Sequence, residues 1–122
     1  HSMINYQCIK CNMTLKTKGK YFMSKNVIEM VIFQTSPEVT EEHFLRLYHK
    51  LSKVLEKDIA GFIKRSLTKD FRQNKWVEII CWESMEAAQA ALEKLPQISE
   101  FQKYCSTLID EGTMMFHLEE MA

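Results

Sequence analysis

Strand and helix signals follow one another as β-α-β-β-α-β in this 122-residue chain, which predicts an α+β domain built on a four-stranded antiparallel sheet. Three observations carry the prediction. Four short runs are rich in β-branched and aromatic residues, two longer segments repeat apolar residues at helical spacing, and proline, glycine and polar clusters separate them. With 46% apolar and 26% charged residues, the chain has the composition of one globular domain.

The first strand, β1, runs from Val27 to Gln34 and ends before Ser36-Pro37, because proline cannot donate to a ladder. Thr40 is placed to cap helix α1, with Glu41 and Glu42 at its electropositive end. Phe44, Leu47, Tyr48, Leu51, Val54 and Leu55 form its apolar stripe to about Asp58. Gly61 breaks the helical pattern. Phe62 to Thr68 (β2) and Trp76 to Glu83 (β3) then make a hairpin around the polar turn Asp70 to Lys75. Ser84 caps α2, whose Met85, Ala88, Ala91, Leu92 and Leu95 face one way until Pro96. Helical turns from Ser99 to Ile109 group Phe101, Tyr104, Cys105 and Leu108, and Thr113 to Glu119 after Gly112 is the last strand, β4. Two right-handed crossovers in this order give the ferredoxin-like arrangement, with both helices on one face of the sheet. The uncovered face then calls for a second sheet, so a homodimer closing two sheets into an α/β barrel is expected.

Side chains alternate across a strand, so each strand offers one set to the helices and one to the open face. The wholly apolar sets Ile28, Met30 and Ile32, then Val77, Ile79 and Cys81, then Met114, Phe116 and Leu118 suit the helices. This assigns Val27, Glu29, Val31, Phe33, Trp76, Glu78, Ile80, Trp82, Met115, His117 and Glu119 to the open face, with Phe62, Lys64 and Ser66 from β2. There they would wall a small-molecule pocket: Phe33, Phe62, Trp76, Trp82 and Met115 as apolar surface, Lys64 as a further binding group, and Glu29, Glu78 and His117 as the catalytic candidates. Partial burial can raise a carboxylate pKa toward neutrality and make it a general base. The competing reading places Glu29 and Glu78 at a rim or against Lys64, with His117 a structural histidine.

Formal charge is zero, with 16 basic and 16 acidic residues, so neither nucleic acid nor an anionic membrane is an expected partner. Four lysines and no acid fall between Met3 and Phe22, which leaves the rest with 12 basic against 16 acidic residues. His1-Ser2 before Met3 reads as the remnant of a cleaved tag, and residues 1–24 as that remnant plus a flexible extension ahead of a domain over 25–122. No apolar run reaches the roughly 20 residues of a membrane span and no secretory leader is recognised, so a cytoplasmic location is expected. The four cysteines are then free thiols. Cys8-Ile9-Lys10-Cys11 has CxxC spacing, but no second ligand pair accompanies it, and it reads as incidental. His43 and His49, six apart on α1, lie on different faces and cannot share a metal. The sequence has no P-loop, GxGxxG, HExxH or serine elbow. No metal or cofactor is expected.

The stretch Val77-Glu78-Ile79-Ile80-Cys81-Trp82-Glu83-Ser84-Met85-Glu86-Ala87-Ala88, followed by Phe101, resembles the antibiotic biosynthesis monooxygenase family of the dimeric α/β-barrel superfamily, and the element order matches from Val27 to Glu119. The resemblance implies a ferredoxin-like dimeric barrel. It also implies oxidation of a small aromatic or quinol-like substrate by O₂ without metal or flavin, once the substrate is deprotonated in a pocket. Glu29, Glu78 and His117 suit that role. The haem-degrading branch of the superfamily uses an asparagine on β1, a tryptophan on α2 and a histidine beyond it, where this chain has Glu29 or Met30, Ala91 and Cys105. Haem degradation is thereby disfavoured, and a ligand-binding homodimer without catalysis is the alternative.

Overall fold

The computed structural model describes residues 26–122. The chain forms β1 (Val27–Phe33), α1 (Glu41–Asp58), β2 (Phe62–Asp70), β3 (Lys75–Trp82), α2 (Met85–Lys94), a 3₁₀ turn (Leu95–Gln97), α3 (Ser99–Cys105) and β4 (Met114–Glu119). The four strands make one antiparallel sheet in the order β2-β3-β1-β4. This is the ferredoxin-like α+β arrangement, with the helices on one face. The Cys8–Cys11 pair lies outside the described residues.

Local chemistry places the elements as their residues dictate. Thr40 Oγ1 accepts the His43 N–H at 3.1 Å and Ser84 Oγ accepts the Ala87 N–H at 3.0 Å, so both long helices start at a hydroxyl cap. Pro96 sits in the 3₁₀ turn that ends α2. Gly61, at φ +83°, leads from α1 into β2, and a Cβ there would stand 2.3 Å from that of Ala87; both backbone and space require glycine. The expected helical run from Ser99 to Ile109 stops at Cys105. Beyond it Ser36 N–H donates to Thr107 O at 2.9 Å and Ile109 N–H to Gln34 O at 2.9 Å, so the chain is drawn onto the end of β1.

The two sheet faces are the reverse of the sequence expectation. Val27, Glu29, Val31 and Phe33 of β1 and Trp76, Glu78, Ile80 and Trp82 of β3 are buried beneath the helices. Their apolar alternates Ile28, Met30, Ile32, Val77, Ile79 and Cys81 occupy the open face, joined by Met114, Phe116 and Leu118, which are 46%, 41% and 41% exposed. The reason is volume and pairing. The gap between sheet and helices is filled by large rings, among them Phe44 against Trp76 at 4.9 Å and Phe33 at 5.8 Å. The carboxylates buried with them have partners, which removes the objection to placing them inside.

A second correction concerns β2. The register shifts between Phe62 and Lys64: Phe62 lies opposite Trp82, but Lys64 lies opposite Cys81 and Arg65 opposite Ile80. The extra residue turns Lys64 and Ser66 to the open face and brings Arg65 and Leu67 under the helices with Phe62. Lys64 therefore does not meet Glu29 or Glu78.

Candidate functional site

Two polar clusters stand on the helix-covered face. In the first, Arg65 Nε donates to Glu78 Oε2, and Arg65 Nη1 donates to Tyr48 O and to Ser52 Oγ, each at 2.8 Å. The guanidinium lies 3.8 Å from the Tyr48 ring centre and 5.0 Å from that of Tyr104. Tyr104 Oη donates to Glu78 Oε1 at 2.9 Å. Both Glu78 oxygens are thus engaged, and the charge pair is enclosed, with the two side chains 2% and 5% exposed.

Electrostatics follow from that enclosure. Burial, reinforced by the Glu78 charge, holds the Tyr104 phenol well above the usual tyrosine range, so it stays a proton donor. Burial also raises Tyr48, with Arg65 opposing the shift. Burial works against the charge on Arg65, but Glu78 and the neighbouring phenols outweigh it and keep its pKa above the ordinary value. The guanidinium is permanently charged there.

The second cluster joins three strands. Glu29 Oε1 on β1 accepts the Trp82 indole N–H from β3 at 3.0 Å and faces His117 Nε2 from β4 at 3.1 Å. The register pairs Glu29 directly with His117 and Val27 with Trp82. Because a carboxylate only accepts, this contact calls for the proton on Nε2. Nδ1 of the same ring is buried and has no hydrogen-bond partner.

Between sheet and helices, Glu29, Arg65, Glu78 and Tyr104 of these clusters border a cavity of about 30 Å³, room for about two water molecules. Its floor includes Glu29, Val31, Glu78, Ile80 and Met115 from the sheet, with Arg65 at one side. Leu51 and Leu55 of α1, Leu92 and Leu95, and the run Phe101, Tyr104, Cys105 and Leu108 close it. The wall is mostly apolar, with one guanidinium, two carboxylates and a phenol converging on it. Among the described residues, no group of three or more His, Cys, Asp and Glu is placed to hold a metal ion.

Of the residues singled out in the sequence, Glu29, Glu78 and Met115 line the cavity, and His117 and Trp82 reach it through Glu29. Phe33 and Trp76 are packed in the core around Phe44, Phe62 stands edge-on to Trp82 at 5.9 Å, and Lys64 is on the other face. Sequence reasoning missed Arg65, Tyr104, Tyr48 and Ser52. The apolar faces of α1 and α3 already contained both tyrosines, and a hydroxyl on an otherwise apolar stripe is the signal that a buried polar partner exists.

No known family model matches the chain, and no curated protein does. Solved structures do. SnoaB, a cofactor-independent oxygenase from Streptomyces nogalater, superposes with a TM-score of 0.63 at 14% identity, over 77% of this chain and 91% of that one. A Bordetella bronchiseptica protein assigned as an antibiotic biosynthesis monooxygenase gives 0.66 at 12% identity, over 80% and 99%. The ActVA-Orf6 monooxygenase of Streptomyces coelicolor, solved with nanaomycin D, gives 0.61 at 16% identity, over 82% and 91%. The fold is that of the antibiotic biosynthesis monooxygenase-type proteins. Among the described residues no helix is long and apolar enough to cross a membrane.

Proposed function

We propose that this protein binds a small aromatic, quinol-like molecule between its sheet and helices and oxygenates it with O₂, using the substrate's own electrons. The observation that carries the reading is the convergence of Glu29, Arg65, Glu78 and Tyr104 on an otherwise apolar cavity. The oxygenase and monooxygenase named among the structures sharing this fold support it. In the simplest balanced case a phenol and O₂ give a quinone and water: one oxygen atom enters the ring, and the other leaves with the two hydrogens the substrate loses. Glu29, Glu78 and His117 are the catalytic groups of this reading, and Tyr104 and Arg65 hold Glu78. Entry of an aromatic ring requires the cavity to widen from its present volume. The covering segment from Leu95 to Cys105 is the part that gives way, because it is a 3₁₀ turn and a short helix, and the first turn of α3 lacks a side-chain cap.

The open sheet face belongs to the same proposal. Nine apolar side chains on β1, β3 and β4 share it, and a second copy covering it yields the homodimer. Oxygen consumption with a panel of naphthols and quinols tests the activity: the wild type is expected to take up O₂ with at least one of them, and Glu78→Gln to lose at least about tenfold in rate. Uptake equal in the folded variant and the wild type removes Glu78 from the chemistry. Binding without uptake in the wild type favours the ligand-binding homodimer.

A further inference from the structure

We infer that the cavity selects its ligand by charge, with Glu29 as the specificity-determining residue: it takes an aromatic molecule that carries a neutral O–H or N–H donor and turns away one that carries a carboxylate. The inference rests on the reading of the cavity as an aromatic site. Charge and hydrogen-bond capacity on the wall carry it. The wall holds one cation, Arg65, and two carboxylates, Glu29 and Glu78.

Arg65 is committed to its own neighbours. Its Nε donates to Glu78 Oε2 and its Nη1 to Tyr48 O and Ser52 Oγ, while the Tyr48 ring lies against the guanidinium at 3.8 Å. An anionic ligand reaching for Arg65 has to displace Glu78, and the displaced carboxylate then stands in the core without its cation. With Arg65 and Glu78 cancelling, the Glu29–His117 pair sets the balance. That pair contributes one negative charge when the imidazole is neutral and none when it is protonated, so the site is not positive in either state.

The donors are spent in the same way. Tyr104 Oη gives its proton to Glu78 Oε1 at 2.9 Å, and the Trp82 indole N–H goes to Glu29 Oε1 at 3.0 Å. Acceptor capacity remains, because a carboxylate takes up to about four hydrogen bonds and the Trp82 and His117 contacts both fall on Glu29 Oε1. A neutral ligand hydroxyl or amide therefore finds an acceptor in the wall. A ligand carboxylate finds like charge across a space otherwise lined by Leu51, Leu55, Leu92 and Leu95, where nothing solvates it and repulsion is stronger than in water. Discrimination of this kind comes from the repulsive element and needs no added contact.

Three probes on one naphthalene frame separate charge from shape. 2-Naphthol and 2-naphthamide are neutral, and 2-naphthoate has the planar outline of the amide with one negative charge at neutral pH. Binding is read from the methyl shifts of Leu92 and Leu108 in the cavity wall, so that contact with the exposed apolar face is not counted. The wild type is expected to bind 2-naphthol and 2-naphthamide, and to bind 2-naphthoate at least about tenfold more weakly than the amide, a comparison that needs no variant to fold. Glu29→Gln keeps the size of the side chain and removes its charge; it is expected to close most of that gap by tightening 2-naphthoate. If 2-naphthoate binds the wild type as tightly as the amide, or 2-naphthol binds and the amide does not, charge selection is overturned while the cavity reading stands. A gap unchanged in folded Glu29→Gln overturns the assignment to Glu29. If none of the three binds, the cavity reading falls as well.

Discussion

The two faces of the sheet divide the chemistry of the molecule between them. Beneath the helices lie Glu29, Glu78, Arg65 and His117 with the large rings Phe33, Trp76 and Trp82. On the other face of β1, β3 and β4 every residue from Ile28 to Leu118 named above is apolar, and Met114, Phe116 and Leu118 are nearly half exposed. The comparison teaches that polarity alone does not tell which face a sheet buries. Charges go inside when partners from the helices and neighbouring strands enclose them, and an apolar face stays outside where a second molecule can cover it.

The largest expected effect separates neighbours on β2. Arg65→Met strands the Glu78 carboxylate in the core and is expected to cost about 3–5 kcal/mol of folding stability, whereas Lys64→Met, one residue away on the other face, is expected to change it by about 0.5 kcal/mol or less. Denaturant unfolding of the two variants measures both, and equal losses would break the comparison. A smaller effect is expected on the open face. Phe116→Glu places a charge on the β4 side of the apolar patch and is expected to weaken self-association by about 2 kcal/mol or more, roughly thirtyfold in Kd, with little change in the secondary structure of each subunit. Sedimentation of wild type and variant at micromolar concentration reads this directly; a wild-type monomer would remove the barrel.

The order of elements was legible because its signals are local. Thr40 and Ser84 cap their helices within three residues, Pro96 stops α2, and Gly61 marks a turn that admits no side chain. The polar candidates Glu29, Glu78 and His117 were legible as one group because they alternate in register on neighbouring strands. Their face was not, since the burial of Glu78 depends on Arg65 and Tyr104, 13 and 26 residues away along the chain. Arg65 was hidden by the bulge before Lys64, which shifts every later residue of β2 to the opposite side and leaves no mark in the local pattern. The early end of α3 was hidden too, because it is set by backbone hydrogen bonds to Gln34 and Ser36.

The central claim is that the helix-covered face, and not the exposed apolar one, receives the ligand. Methyl chemical shifts of the protein titrated with 2-naphthol test it most directly, because leucine, isoleucine and valine methyls report from both sides of the sheet. The account predicts that Val31, Leu92, Leu95 and Leu108 move together and saturate while Ile28, Ile32, Ile79 and Leu118 stay in place. Shifts confined to Ile28, Ile32, Ile79 and Leu118 would contradict it.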